Sequence, residues 1–318
     1  MVDHNPDFNT LATTTLQSYE DGFEEFISTR STVYQMLKQY NRIESATGRS
    51  IVVPLMYGDN STSGTYDPYE DLAITAQDGM TAAEYTPKWH SVTVAISGPE
   101  KAMNAGPEQQ IDLLAAKIKQ AQLTAAEDFE DMFQSDGTGN SGKNFLGIQA
   151  LIGDASSSVT TVGGIDASDS TNAYWTSQIL RSAGTLTLKK LSHQYNLGVR
   201  GSKRPKWAQT TLDLYEAYEA LLQPAQRFTN PKTAEAGFEN LIHKGCTVVW
   251  GDSVESGTWT NINPDHITLK KWNGTWLKAT PMQKPVNRDA FYSQYLSYGQ
   301  LVTDNRRDLG TKLEGLTP

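Results

Sequence analysis

Apolar residues recur along this chain at two different spacings, and the changes between them divide it. In residues 1–48, Phe23, Phe26, Ile27, Val33, Met36, Leu37 and Tyr40 recur at helix-like spacing. That spacing predicts one or two short helices ending at Gly48. The stretch is otherwise polar, so it predicts an arm without a core of its own, which must lie on another surface. Residues 49–97 change to strand character, with Ser50–Pro54 and Ser91–Ile96 reading as strands. Between them lies a polar stretch punctuated by Gly58, Gly64, Pro68, Gly79 and Pro87, with some strand character at Asp71–Thr75. So long a connection in a compact domain points to function, and an arm reaching a neighbour is one physical solution.

The strongest element follows. Gly106-Pro107-Glu108 predicts a helix start, with proline at the first helical position and an acid at the positive end of the dipole. Ile111, Leu114, Ile118, Ala121, Ala125, Phe129 and Met132 then step by three or four residues. The result is a helix of roughly eight turns, about 43 Å, ending before Gly137. Beyond it, Asn144–Ile152 and Val159–Ile165 read as short strands, and Thr185–Tyr195 and Leu212–Leu222 as helices. Trp207–Thr210, Cys246–Trp250, Ile267–Trp272, Trp276–Ala279 and Tyr292–Thr303 read as strands. The class is α+β with mixed sheets, and no internal repeat is visible.

Composition narrows the function. A chain of 318 residues has room for about two domains. With 38% hydrophobic and 20% charged residues it is a soluble globular type, somewhat poor in apolar side chains. A net charge of −9 runs against gripping nucleic acid, which needs Lys and Arg on phosphates, but does not penalise merely enclosing it. The single cysteine, Cys246, excludes an intramolecular disulfide and a cysteine-based zinc site, and its strand-like neighbours Thr247–Trp250 predict a core thiol. The first thirty residues carry Asp3, Asp7, Glu20, Asp21, Glu24 and Glu25, not a basic stretch before an apolar one. No run approaches the ~18 apolar residues of a membrane helix. Synthesis in a cytoplasm, with no membrane partner, is the expectation.

The candidate chemistry is weak. Gly137–Asn144 comes within one residue of a phosphate-binding loop, but Asn144 stands where Ser or Thr would hold magnesium. A helix precedes the segment instead of following it, so a solvated turn is the reading. Glu127, Asp128, Glu130 and Asp131 crowd one helix end on a face expected to be solvated, unlike the carboxylates that flank a glycosidic bond. His4, His90, His193, His243 and His266 show no metal-ligand spacing. Gly163–Asp166 reads as a tight turn entering a strand. Lys203–Lys206 with Arg200 reads as a basic loop, and Trp175 and Trp207 as core residues. The expectation is therefore no catalytic residue, no metal and no cofactor.

Several segments together resemble the major capsid proteins of tailed bacteriophages, the Hong-Kong-97-type shell fold. They are Phe145–Gln149, Val162–Asp166, Tyr174-Trp175, Pro205–Trp207, Leu222–Phe228, Val248–Gly251 and Tyr298–Gly310. The resemblance implies an N-terminal arm (1–48), an extended β-hairpin loop (49–97) and a long spine helix. It also implies a peripheral domain (98–178 with 282–318) and an axial domain (179–281). Leu222–Phe228 would close an axial helix, and Leu301–Arg307 would be a peripheral strand. It implies a structural protein forming hexamers and pentamers that close into an icosahedral shell around double-stranded DNA. Portal and scaffolding proteins, and in some shells a decoration protein, are the implied partners, and the location is the virion capsid after assembly in the host cytoplasm. Some members cross-link through a lysine on the loop, yet no lysine stands between Arg49 and Lys88. Some carry a scaffolding domain before the arm; none is expected here. A non-viral protein compartment shell and a carboxylate-dependent hydrolase are the alternatives.

Eight acids are the expected intersubunit contacts. Asp59, Asp67, Glu70, Asp71, Asp78 and Glu84 lie on the loop with no Lys or Arg among them to balance them. Glu127 and Asp131 are like charges four apart at the negative end of the helix dipole, a destabilising pair unless cations from another element or subunit meet them. Lys143, Arg306 and Arg307 are the candidates for those cations.

Overall fold

The computed structural model describes residues 20–72, 74–76, 78–103, 107–222 and 241–318. Its axis is the long helix Pro107–Gln134, 28 residues, about 42 Å at the helical rise. Leu114, Ile118, Ala125, Phe129, Met132 and Phe133 line its buried face. Two arm helices, Glu20–Arg30 and Thr32–Gln39, pack on it. Ser31 starts the second, its Oγ accepting from the Tyr34 amide at 3.2 Å. Val33, Tyr34, Met36 and Leu37 are fully buried, each worth roughly 1.5–3 kcal/mol of burial. The surface the arm requires is thus supplied by its own chain. The arm is not helical to its end, because Ile43–Ala46 is a strand paired to residues more than 200 positions away.

In chain order the strands are β1 (Ile43–Ala46), β2 (Ile51–Met56), β3 (Met80–Tyr85) and β4 (Lys88–Ser97). Next come β5 (Thr161–Val162), β6 (Ile165–Asp166), β7 (Gln178–Leu180) and β8 (Gly184–Thr185). Then follow β9 (Trp207–Thr210), β10 (Leu241–His243), β11 (Cys246–Trp250) and β12 (Trp259–Ile262). The last are β13 (Ile267–Trp272), β14 (Lys278–Ala279), β15 (Ala290–Thr303), β16 (Gly310–Leu313) and β17 (Leu316–Thr317).

They form two principal sheets. In the first, the 14-residue β15 is central: β4 lies along one stretch of it, and β13 and β14 pair with it in turn, with β1 parallel to β13 outside. This sheet and the long helix enclose the larger core, where Phe129, Phe133, Phe145 and Trp276 meet at ring distances of 5.5–6.0 Å. The second sheet has the order β10-β11-β9-β12-β16-β7. Its strands β9, β12 and β16 are buried at every position, as expected of a sheet covered on both faces. Trp207, Val249 and Ile262 face the larger core. Ala208, Val248, Trp259 and Leu313 face a second core with the helices Leu188–Leu197 and Leu212–Leu222. A chain of ion pairs ties the two parts: Asp154 to Arg181 at 2.6 Å, Arg181 to Glu314 at 3.2 Å, Glu314 to Lys312 at 3.0 Å and Lys312 to Glu255 at 2.6 Å.

Pairing places several segments differently from the sequence reading. Residues 88–97, at the end of the expected loop 49–97, form β4, the whole of which pairs with β15. β13 and β14 join that same sheet although they fall within 179–281, and β16 joins the other although it falls within 282–318. Asn144–Ile152 is no strand: Gly147 lies so close to the carbonyls closing the long helix that a β-carbon would sit 2.3 Å from the Ser135 carbonyl oxygen. The chain then turns into the short helix Ile148–Leu151. Asp71–Thr75 shows no strand among its described residues. The helix expected at Thr185 begins at Leu188, capped by Thr187. β12 and β16 were not anticipated. Leu222 ends its helix as expected, while the rest of Leu222–Phe228 lies outside the described residues.

Candidate assembly surfaces

β2 and β3 form an antiparallel hairpin, Ile51 opposite Tyr85 and Met56 opposite Met80. The period-two pleat gives it two faces. Ile51, Leu55, Ala83 and Tyr85 are buried against the chain, and the Tyr85 hydroxyl donates to the Thr303 carbonyl at 2.9 Å. Val52, Pro54, Met56, Met80, Ala82 and Glu84 face outward and are exposed. The connection between the strands carries Tyr66, Tyr69, Leu72 and Ile74, all exposed, Tyr69 and Ile74 completely so. An apolar face with apolar residues beyond it is the kind of surface a folded monomer rarely leaves in water.

The base of this hairpin is fixed by a second one. β5 and β6 turn through Gly163 and Gly164, both at positive φ (61° and 76°). The Gly163 carbonyl accepts from the Glu84 amide at 2.9 Å. A β-carbon on Gly163 would sit 2.7 Å from that of Ala83. The tight turn read from Gly163–Asp166 is therefore a buttress under the loop. Beside it, Tyr57 stacks on Tyr174 at 4.6 Å. There a groove of about 320 Å³ opens, lined in part by Asp59, Arg200, Asp304 and Arg307.

All six loop acids are exposed. Among the described residues none is in an ion pair; Glu70 instead accepts from the Asp67 amide at 3.1 Å. Asp59 sits in the groove, and Asp67, Glu70, Asp71 and Asp78 lie along the connection, so the structure spreads the six over one projecting element.

The acids of the long helix are brought together with partners from their own chain. Arg30 of the first arm helix meets Glu127 at 2.8 Å, and Ser253 donates to Asp131 at 2.5 Å. His90 lies 3.1 Å from Asp128. The expected cations are not the partners. Arg306 is buried and donates to the carbonyls of Ala150, Leu151, Val159 and Thr160, while Arg307 lines the groove. Lys143 lies on the exposed turn. The shared solvated face is also corrected, because Glu130 is buried. It accepts from Ser31 at 2.6 Å, Thr32 at 3.0 Å and Gln134 at 3.0 Å. Burial pushes its carboxyl above the ordinary range, and those hydrogen bonds oppose the shift. Gln134 in turn exchanges amide hydrogen bonds with Gln209 of β9, at 2.8 and 3.3 Å. The sequence reading missed this relay from arm to helix to second sheet.

Among the described residues no three His, Cys, Asp or Glu gather where they could hold a metal ion. No described helix is long and apolar enough to cross a membrane. Asn140 and Ser141 take left-handed conformations in the turn that resembles a phosphate loop. Cys246 is buried, and its thiol is pushed up to about 12 by desolvation. Lys206 pairs with Asp265 at 2.7 Å, and Arg200 and Lys203 face Asp308 at 3.6 and 4.0 Å. Trp175 and Trp207 are core residues.

No protein-family model matches the sequence, and no curated protein matches it. The fold does have counterparts. A chain of the cyanophage A-1(L) capsid superposes with a TM-score of 0.67 at 15% identity, covering 89% of this chain and 93% of that one. The chain has the phage-capsid shell fold. The capsid of a native GTA particle gives a TM-score of 0.63 at 10% identity over 89% and 90% of the two chains. The holo-SrpI encapsulin complex of Synechococcus elongatus shares the capsid fold at 0.58 and 10%, over 88% and 87%.

Proposed function

We propose that this chain is the major shell subunit of a tailed bacteriophage, forming hexamers and pentamers that close around double-stranded DNA. The observation that carries it is the hairpin: within a capsid fold, it presents an exposed apolar outer face and six exposed acids that have no ionic partner among the described residues. In this reading the protein is structural rather than catalytic. It is made in a host cytoplasm, ends in the virion, and works with portal and scaffolding proteins, a decoration protein being a further candidate. DNA would be enclosed without being gripped, in keeping with the net charge of −9. Size-exclusion chromatography with light scattering, followed by negative stain, tests it. Rings and closed shells are the expected species, and a well-folded monomer under every assembly condition would refute shell formation.

The likeness to an encapsulin complex favours one second reading, a protein compartment. The contents decide between the two. Particles isolated from the native source and treated with nuclease hold protected DNA in the first reading and a protein cargo in the second.

A further inference from the structure

We propose that Asn273 is a self-modifying site, whose side-chain amide is converted to a carboxylate by the backbone nitrogen of Gly274 with the Ser45 hydroxyl assisting. Asn273-Gly274 is the one Asn-Gly pair in the sequence. It lies in the exposed turn between β13 and β14, closed by the Thr275 amide donating to the Trp272 carbonyl at 3.3 Å. Gly274 has φ +82°, and the space its absent side chain would fill is open. No β-carbon therefore hinders the attacking nitrogen or the water that follows. Among the described residues the Gly274 amide donates to no acceptor, so the nucleophile is not engaged elsewhere.

The second component comes from far along the chain. Parallel pairing of β1 with β13 sets Ser45 opposite Lys271 and Ala46 opposite Trp272. The Ser45 hydroxyl there donates to Asn273 Oδ1 at 2.7 Å. Such a bond withdraws electron density from Cγ and meets the oxygen on which negative charge grows during attack. Asn60 makes a useful contrast. Its Oδ1 also accepts a hydroxyl, that of Thr62 at 2.5 Å, but Ser61 follows it and carries a side chain.

In the reaction the Gly274 nitrogen gives its proton to solvent base and bonds to Asn273 Cγ. The bond from Cγ to the side-chain nitrogen breaks, and that nitrogen takes up a proton and leaves as ammonia. Water opens the resulting five-membered imide at either carbonyl, giving aspartate or its backbone-shifted isomer. Overall, amide and water give acid and ammonia, with no change of oxidation state. The product places a new negative charge beside Glu44 and Lys270, themselves paired at 2.5 Å, on the seam fastening the arm to the first sheet.

The test incubates the folded full-length chain at mildly alkaline pH and follows the amide-to-acid mass gain by peptide mapping. Asn273 should convert ahead of Asn60 and Asn140. Ser45→Ala should slow it about three- to tenfold, the rate equivalent of one solvent-exposed hydrogen bond. Ser45→Thr, which keeps the hydroxyl, should hold the wild-type rate, and the urea-unfolded chain should match Ser45→Ala. An Asn273 that stays intact in the folded chain while the unfolded chain converts overturns the proposal. So does a Ser45→Ala rate equal to wild type.

Discussion

Arg306 and Arg307 are adjacent, yet Arg306 is fully buried and Arg307 is exposed. Among the described residues no carboxylate pairs with Arg306; its guanidinium instead draws four carbonyls of the segment 150–160 around it. Desolvation lowers its pKa to about 10 against the opposing influence of Tyr85 and Asp154. Arg306→Met leaves four buried acceptors without a donor and should cost about 3–5 kcal/mol in chemical denaturation. Arg307→Met should stay within about 0.5 kcal/mol. Residue type separates the two poorly, so the sequence offered both as partners for Glu127 and Asp131. Gly163 was more legible, because a double glycine before a strand announces a tight turn. What it could not announce was the neighbour, Ala83, eighty positions earlier. Gly163→Ala combines an unfavourable φ with a clash against that residue. It should destabilise by about 1–3 kcal/mol and speed proteolytic cleavage within residues 57–79.

At the scale of elements, the long helix was readable because its apolar residues keep a helical period and proline marks its start. β12 and β16 were not, because Trp259–Ile262 and Gly310–Leu313 break the apolar pattern with polar residues that are nonetheless buried. Asn261 accepts from the Trp259 indole at 3.1 Å, and Lys312 is held by Glu255 and Glu314. Glu130 failed as a reading for the same reason: charged residues are rarely buried, so a surface is the default. Its role yields a pH test. A carboxyl whose folded value lies above its unfolded one stabilises the fold most at acid pH, and that contribution is lost as pH rises through the folded value. Glu130→Gln keeps an acceptor and a donor for its three partners and removes the charge. It should melt higher than wild type at neutral pH, with the difference vanishing below 4.5. Asp154 has the opposite sign. Its pairing with Arg181 lowers its value to about 2, so its contribution is present above 3.8 and lost as pH falls toward about 2.

At the scale of the whole molecule, the arrangement of arm, hairpin, long helix and two sheets followed from the order of elements, while sheet membership followed from pairings that local sequence does not encode. The six loop acids have no ionic partner among the described residues. If a neighbouring subunit supplies them, each exposed pair contributes at most ~1 kcal/mol, and copy number multiplies it. Shells should then melt lower as salt rises, because the charges are screened. Asp67→Asn with Glu70→Gln and Asp71→Asn should flatten that salt dependence, read by differential scanning fluorimetry on assembled particles. The pairing of β1 with β13, Ile43 opposite Leu269, also bears on the life of the chain before any shell exists. A ribosome releases the arm long before the strand it must join, and β4 likewise waits for residues 290–299 of β15. The hairpin of β2 and β3 can close early from neighbouring sequence, but its foundation is finished only when nearly the whole polypeptide has emerged. Such high contact order makes folding slow and largely post-translational. On the shell reading proposed above, maturation of the subunit, rather than encounter between subunits, would then set the earliest moment at which a newly made copy can join others.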